Sequence, residues 1–553
     1  MKEMNNIKSR KRKMKMMNQK KYEFWLDKWA RKIVEREKKL KRGLKKLRTE
    51  SGLGASGIPH IGSFGDVVRQ YGVTLALRDL GFKSEVIAYS DDRDGLRKVP
   101  IGLPNWLEKY VGMPVSNIPD PFGKCHKNFG EHMGSLLLDA LDEVGVDYTF
   151  NSGSENYRKG ILDKQIETIL LNSDKIGKII KKMVGQKKYV EALPYFPVCE
   201  KCGKIYTTRS YELIPKEHKV LYVCDQDFLG KNSNTGKEII VEGCGHKGEA
   251  SYFKGEGKLS WKVEFAARWD ALKIVFEAHG KDILDSVKVN DRICKEILNF
   301  DPPFHFVYEM FLEKGGRKIS KSVGNVFTPQ VWFRYGSPES CILLMLKRSG
   351  TIREINVNDI PSYMREVDRL EDVYFGKEQL DNPRDEFNAK RLFEFINRLK
   401  PPKKLSEHIP YDYLIELASV APEKNKLEFV VQKLLETGHV SKVDEKFKKE
   451  MKKRFAYAEN WFNDFVKPEK VEVELSKEEK SAIKDLIQEI KKEKDGEKLQ
   501  NRIFQIAKSR GIKPSKFFRS IYRVLLNQDR GPRLGPYIIQ RGKKEIIKLL
   551  EKR

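Results

Sequence analysis

Ala55-Ser56-Gly57-Ile58-Pro59-His60-Ile61-Gly62-Ser63-Phe64-Gly65-Asp66 runs from a glycine-rich loop into a segment whose apolar residues Phe64, Val67, Val68, Tyr71 and Leu75 share one helical face. A helix that starts this way turns unbonded backbone N–H groups toward the loop, with its dipole behind them, and makes a site for an anion such as a phosphate. Gly57 belongs to the loop that would line the phosphates, and the small Gly62 would let an adenine or ribose approach the backbone. His60, at the mouth, could donate to a phosphate oxygen as charge builds. Alone, a His-Ile-Gly tripeptide is common, and a His before a helix is often only a cap or a core residue.

A second stretch changes that weighting. Gly315-Gly316-Arg317-Lys318-Ile319-Ser320-Lys321-Ser322 follows an apolar run, Phe304 to Leu312, that reads as a strand, and it sets two lysines and two hydroxyls on a tight loop. Cations and hydroxyl donors of this kind stabilise charge on a departing pyrophosphate. Between the two motifs, Glu85 to Ser90 reads as a strand, Met133 to Val144 as a helix and Gly145 to Phe150 as a strand. That alternation predicts a parallel, doubly wound sheet with ligands at the carboxyl edge of its strands, where Asp91 and Asp92 fall. The strand needed before Ser51 is poorly written, because Lys45, Lys46, Arg48, Thr49 and Glu50 offer no apolar run. Upstream, Trp25, Trp29, Ile33 and Leu40 predict a helix over Tyr22 to Leu40, and beyond about Phe333 helical patterns dominate, broken at Pro383, Pro401, Pro402, Pro410 and Pro468.

The 553 residues exceed what one core usually organises. Lys and Arg number 107 against 79 Asp and Glu, a formal charge of +28, which points to a polyanionic partner, nucleic acid first. Much of that excess is early: residues 1–48 hold 20 Lys or Arg and 5 Asp or Glu. Nothing reads as a membrane span or a secretory signal, so the expectation is a cytoplasmic protein without a membrane partner. Four of the seven cysteines, Cys199, Cys202, Cys224 and Cys244, crowd into a segment of short β-like pieces such as Lys219 to Val223, while Cys125, Cys294 and Cys341 are scattered. A Cys-x-x-Cys knuckle followed by two more soft ligands fits a closed structural Zn²⁺ site, with His246 as the alternative fourth ligand.

The two motifs resemble the HIGH and KMSKS signatures of class I aminoacyl-tRNA synthetases, with His60 to Ser63 and Lys318 to Ser322 in those places. Ser63 stands where the general signature has a second His, and class I lysyl-tRNA synthetases of the archaeal type commonly carry a small polar residue there. Ser90 to Pro100, Pro119 to Gly123, Lys258 to Trp269, Phe517 to Tyr522 and Gly531 to Gly535 resemble the same family, so that the likeness runs from about residue 22 to the end. One departure stands out: Gly280-Lys281-Asp282-Ile283 occupies the place of a Gly-Lys-Asp-His, with His279 as the nearby imidazole.

The resemblance implies an α/β Rossmann-like (HUP-type) catalytic domain with a zinc-binding insertion, followed by an all-α C-terminal anticodon-binding domain. Its bounds would be a basic disordered tail over 1–21, the first catalytic half over 22–185, the insertion over 186–258, the second half with the KMSKS-like loop over 259–336, and a helical stem-contact and anticodon-binding region over 337–553. It implies ligation of L-lysine to tRNA(Lys) through a lysyl-adenylate, with ATP carrying Mg²⁺, in a monomer. His60, Ser63, Lys318 and Lys321 would be catalytic; Gly57, Gly62, Gly280, Lys281, Asp282, Ser320 and Ser322 would hold ATP; Gly52, Asp91, Trp261 and Tyr308 would hold lysine. Trp461, Phe465 and Tyr537, beside basic runs such as Lys446 to Arg454, would stack unpaired bases. Two other readings compete: a class I synthetase for glutamate or cysteine, and an impaired paralogue that only binds RNA.

Overall fold

The computed structural model describes residues 22–309, 311–312, 327–347, 353–466, 474–526 and 528–551. They form two compact units, one comprising residues up to Phe333 together with Pro338–Leu405, the other Arg334–Ser337 with Ser406–Arg553.

The first unit is built on five parallel strands: β1 (Leu47–Leu53), β2 (Ser84–Ser90), β3 (Tyr148–Ser152), β4 (Ile274–Gly280) and β5 (Phe304–Tyr308), in the order β5-β4-β1-β2-β3. The order reverses at β1, which puts the crevice of a doubly wound sheet beside the carboxyl ends of β1 and β4. Helices α1 (Trp25–Lys39) and α2 (Ile61–Asp79) cover one face. Trp29 of α1 lies 5.5 Å and 6.0 Å, ring to ring, from Phe276 and Phe304, so the aromatic stripe read in the sequence packs on β4 and β5. Helix α3 (Phe129–Glu143) precedes β3, and α4 (Trp261–Leu272) covers the other face.

The strand that sequence pattern barely supports is the central one. Its polar residues are buried in pairs: the Thr49 hydroxyl lies 2.8 Å from that of Thr74 on α2, and Glu50 on the opposite face lies 2.7 Å from the Arg268 guanidinium on α4. Arg48 donates to Glu85 across the pair with β2. Alternation is intact, but it is an alternation of buried polar groups set against polar neighbours, to which a search for apolar runs is blind.

Residues 186–258 hold short antiparallel pieces, among them Arg209–Ile214, Lys219–Val223 and Lys247–Ser251, and a second sheet in which Phe228–Asn232 pairs with Lys98–Val99 of the first half. Helices Ile360–Phe375 and Pro383–Ile396 also belong to the first unit, where buried Arg391 binds Asp27 and Asp79 at 2.7 Å each.

The second unit is helical. Pro410 caps Tyr411–Val420, and Glu445–Trp461 presents the Lys446 to Arg454 run; Pro468 is outside the described residues. Trp461 and Tyr537 are buried in the packing of this unit and cannot stack bases as expected, whereas Phe465 is 45% exposed. Its last five helices enclose one core, and Gly535 is needed there because a Cβ would sit 2.1 Å from the Gly496 carbonyl oxygen. Among the described residues no helix is long and apolar enough to cross a membrane.

Because Arg268 balances a carboxylate with no exposure, Arg268→Met is expected to cost about 3–5 kcal/mol, read as a lower thermal unfolding midpoint. The double variant Glu50→Gln/Arg268→Met should recover most of the loss; no recovery would assign Arg268 a packing role alone.

Candidate active site

The carboxyl ends of β1, β2, β4 and β5 and the starts of α2 and α4 enclose a cavity of about 410 Å³. His60, Gly62 and Ser63 line it from the start of α2, Gly52 from β1, and Asp91 from the end of β2. Trp261, Gly280, Asp282 and Tyr308 line the opposite side. Of the remaining candidates, Gly57 is buried in its loop and does not line the cavity, and Lys281 is exposed with its ammonium 3.1 Å from Glu309. Lys318, Ser320, Lys321 and Ser322 lie outside the described residues.

The start of α2 explains the glycine after His60. The imidazole folds back over the first turn, where its Nδ1 accepts from the Ser63 N–H at 3.2 Å, and a Cβ on Gly62 would stand 2.8 Å from that ring. Ile61 donates its N–H to the Phe327 carbonyl at 2.8 Å, and Phe311 lines the cavity. Phe311 and Phe327, on either side of the Lys318–Ser322 stretch in sequence, thus lie at the cavity wall and beside the start of α2.

The floor is electrostatic. Buried Arg268 lies 2.7 Å from Glu50 and donates to Asp91 at 2.8 Å, so Asp91 already has a cation instead of standing free for one. Glu277, on β4, accepts from the Trp269 indole and lines the cavity. Beside these, Lys258 binds Asp94 and, at 2.8 Å, Glu264. Among the groups that line the cavity, the carboxylates Asp66, Asp91, Glu277, Asp282 and Glu309 outnumber the cations Arg69, Lys98 and Arg268. Burial pushes Asp91 up to about 7 against the pull of Arg268. Burial, reinforced by the Glu50 carboxylate, pushes Glu277 up to about 8. Such a floor is short of positive charge, and an incoming cation would relieve it.

The walls are held from behind. Trp261 donates its indole N–H to Asp94 at 3.0 Å, and Tyr308 donates to Asp66 while the Arg69 guanidinium lies 4.4 Å above its ring. His279 is 3% exposed; its Nδ1 lies 3.0 Å from the Gly280 carbonyl, and its Nε2 has no hydrogen-bond partner among the described residues. An Nδ1 beside a carbonyl carries the proton, which leaves Nε2 as an acceptor. Burial lowers the pKa of this imidazole and keeps it neutral. Ile283 lines the same cavity next to it. Sequence reasoning gave no role to Glu50, Arg268 or Glu277; a lone Glu inside the apolar run Ile274-Val275-Phe276-Glu277-Ala278 was the available signal.

The four clustered cysteines converge. Their sulfurs all lie within 4.8 Å of one another, with Cys199 to Cys244 at 3.6 Å and Cys202 to Cys224 at 3.7 Å. That is far beyond a disulfide bond and close to the edge of about 3.8 Å in a tetrahedron of sulfurs bound at about 2.3 Å. His246 instead bonds Glu200 at 2.6 Å. The cluster could hold a metal ion.

A family model for tRNA synthetases class I (K) matches residues 23–398. A lysine–tRNA ligase of Cenarchaeum symbiosum (strain A) is 45% identical over 529 residues, 96% of this chain and 98% of that protein. Lysine–tRNA ligases of Rickettsia bellii (strain OSU 85-389) and Rickettsia prowazekii (strain Madrid E) are each 31% identical over 515 residues, 91% of this chain and 92% of theirs. With its parallel sheet, its helical C-terminal region and this near full-length similarity, the chain belongs to the archaeal-type class I lysyl-tRNA synthetases.

Proposed function

We propose that this chain ligates L-lysine to tRNA(Lys) at the cavity above Arg268. The observation that carries the reading is the pairing, in one cavity, of an acid-rich floor with a helix start capped by His60. Lysine's carboxylate, ionised near neutral pH, attacks the α-phosphorus of ATP; the bond to the β-phosphate oxygen breaks and pyrophosphate leaves, so no general base is needed. His60 and the N–H groups of α2 steady the phosphates, with Gly62, Gly280 and Asp282 around the nucleotide, and Lys318 and Lys321 neutralise the pyrophosphate. In the second step a ribose hydroxyl at the tRNA 3′ end, the 2′ hydroxyl in keeping with the family, attacks the lysyl carbonyl and AMP leaves.

Within this reading the substrate's side-chain ammonium lies toward Asp91 and Glu277, between Trp261 and Tyr308, where carboxylates in excess favour lysine over glutamate. His279 Nε2 supplies an acceptor for an ammonium group of the substrate and takes the polar role that Ile283 lacks. Mg²⁺ enters with ATP. The four cysteines suit zinc, which would supply a closed tetrahedral crosslink to an insertion whose short strands have little core of their own. The helical region from residue 337 onward, with its basic Lys446 to Arg454 run and exposed Phe465, would contact the tRNA stem and anticodon.

The test is ATP–pyrophosphate exchange with each amino acid, followed by lysyl-tRNA formation. Lysine alone should support both, and folded His60→Ala and Lys321→Ala variants should each lose about a hundredfold or more in kcat. Exchange with glutamate or cysteine but not lysine, or a folded wild type inactive in both assays, overturns the proposal and, in the second case, favours an RNA-binding paralogue.

A pH dependence follows from the floor. Carboxyl groups raised to about 7 and about 8 are largely neutral in weak acid and ionise as pH rises, so the KM for lysine should fall between about pH 6 and pH 8.5. Glu277→Gln should raise that KM about tenfold or more, the worth of a hydrogen bond to a charged group, and flatten the profile. A KM that rises with pH in the wild type would place the ammonium elsewhere.

A further inference from the structure

The face of α2 that looks into the cavity carries a cation with unused bonding capacity. Gly62, Asp66 and Arg69 follow one another at intervals of four and three residues, so they stack on one side of the helix, and all three line the cavity. Arg69 is 4% exposed, yet its Nη1 has no hydrogen-bond partner among the described residues. Asp66, at 3.8 Å, is too distant to accept from it and receives the Tyr308 hydroxyl. The guanidinium carbon lies 4.4 Å from the centre of the Tyr308 ring and 5.4 Å from that of Phe311, two aromatic faces that attract its charge without occupying Nη1.

The helix leaves room for this nitrogen. A Cβ on Gly65 would stand 2.9 Å from Arg69 Nη1 and 2.6 Å from the Met345 sulfur, so the glycine makes the space in which the guanidinium lies. Gly65 is five residues past His60, about 7.5 Å along the axis at about 1.5 Å per residue, which sets the guanidinium more than one turn below the helix start. Phosphates bound by the first N–H groups lie at that start, and a cation at this depth meets the group next to them. Of the other cations lining the cavity, Arg268 is already held by Glu50 and Asp91, and Lys98 belongs to the strand paired with Phe228–Asn232 and is partly exposed. A buried charge with an idle donor is costly until an anion meets it.

Resting on the lysine reading above, we propose that Arg69 binds the α-carboxylate of the amino-acid substrate through Nη1. A lysine between Trp261 and Tyr308, with its side-chain ammonium toward Asp91 and Glu277, has one anionic group left to place, and Arg69 stands against Tyr308. Nη1 holds one carboxylate oxygen; the other forms the bond to the α-phosphorus, the bond to the β-phosphate oxygen breaks, and its electron pair leaves with pyrophosphate, with no proton transferred. Arg69 thereby sets the direction of attack and rejects diamines, which satisfy the acidic floor but carry no carboxylate.

The measurement is equilibrium titration of the full-length protein with lysine and with cadaverine, which is lysine without its carboxylate. Wild type should prefer lysine by about tenfold or more, whereas Arg69→Met should weaken lysine by about ten- to hundredfold and leave cadaverine within about twofold, so that the preference collapses. Equal losses for both ligands, or a preference kept in the variant, overturn the proposal and leave Arg69 only the packing of Tyr308, while lysine-dependent pyrophosphate exchange in the wild type keeps the function itself standing. A wild type that neither binds lysine nor exchanges with it overturns the function and this inference together. If Arg69→Met does not fold, the crystal structure of the wild type with lysine decides: a carboxylate oxygen within about 3.2 Å of Nη1 is expected, and a carboxylate turned away from Arg69 overturns the proposal.

Discussion

A guanidinium buried at the junction of β1, β2 and α4 holds the first unit's two layers in register with its cavity. Arg268 reaches Glu50 on the central strand and Asp91 at the end of its neighbour, so one side chain ties a helix to two strands at the crevice where the sheet reverses. Buried ion pairs are a poor source of net stability, because desolvation cancels most of the attraction. What this one supplies is placement. It lets an acidic residue occupy the middle of a sheet with no exposure, and it leaves the surrounding carboxylates short of one more positive charge.

The rim follows a different logic. At the start of α2 the His60 imidazole, the missing Cβ of Gly62 and the Phe327 carbonyl crowd around the first helical N–H groups. Each contact is modest, but together they set the His60 imidazole over the first turn and join Ile61 to Phe327, which is distant in sequence. The same economy governs the insertion and the Asp120–His132 loop. In both, soft donor atoms converge within 4.8 Å of one another.

Much of this was legible in sequence because it is periodic or local. The helical face after His60, the Trp25 and Trp29 stripe, the strand ending at Ser90 and the Cys-x-x-Cys knuckle are all written in neighbouring residues, and the structure contains each of them. Two kinds of feature were not legible. Aromatics beside basic runs do not say which rings are buried, so Trp461 and Tyr537 read as surface and proved to be core. Nor does a polar strand announce itself, since Thr49 and Glu50 become strand-like only when Thr74 and Arg268 are there to meet them.

By itself, then, the sequence determined the alternating architecture and the family, because spacing along a chain is enough to specify helices, strands and short motifs. Tertiary structure alone decided which charges share a floor, that Asp91 answers to Arg268, and that Cys125 and two histidines meet an aspartate. Those are pairings across long stretches of chain, and no local periodicity encodes the distance between side chains that only folding brings together.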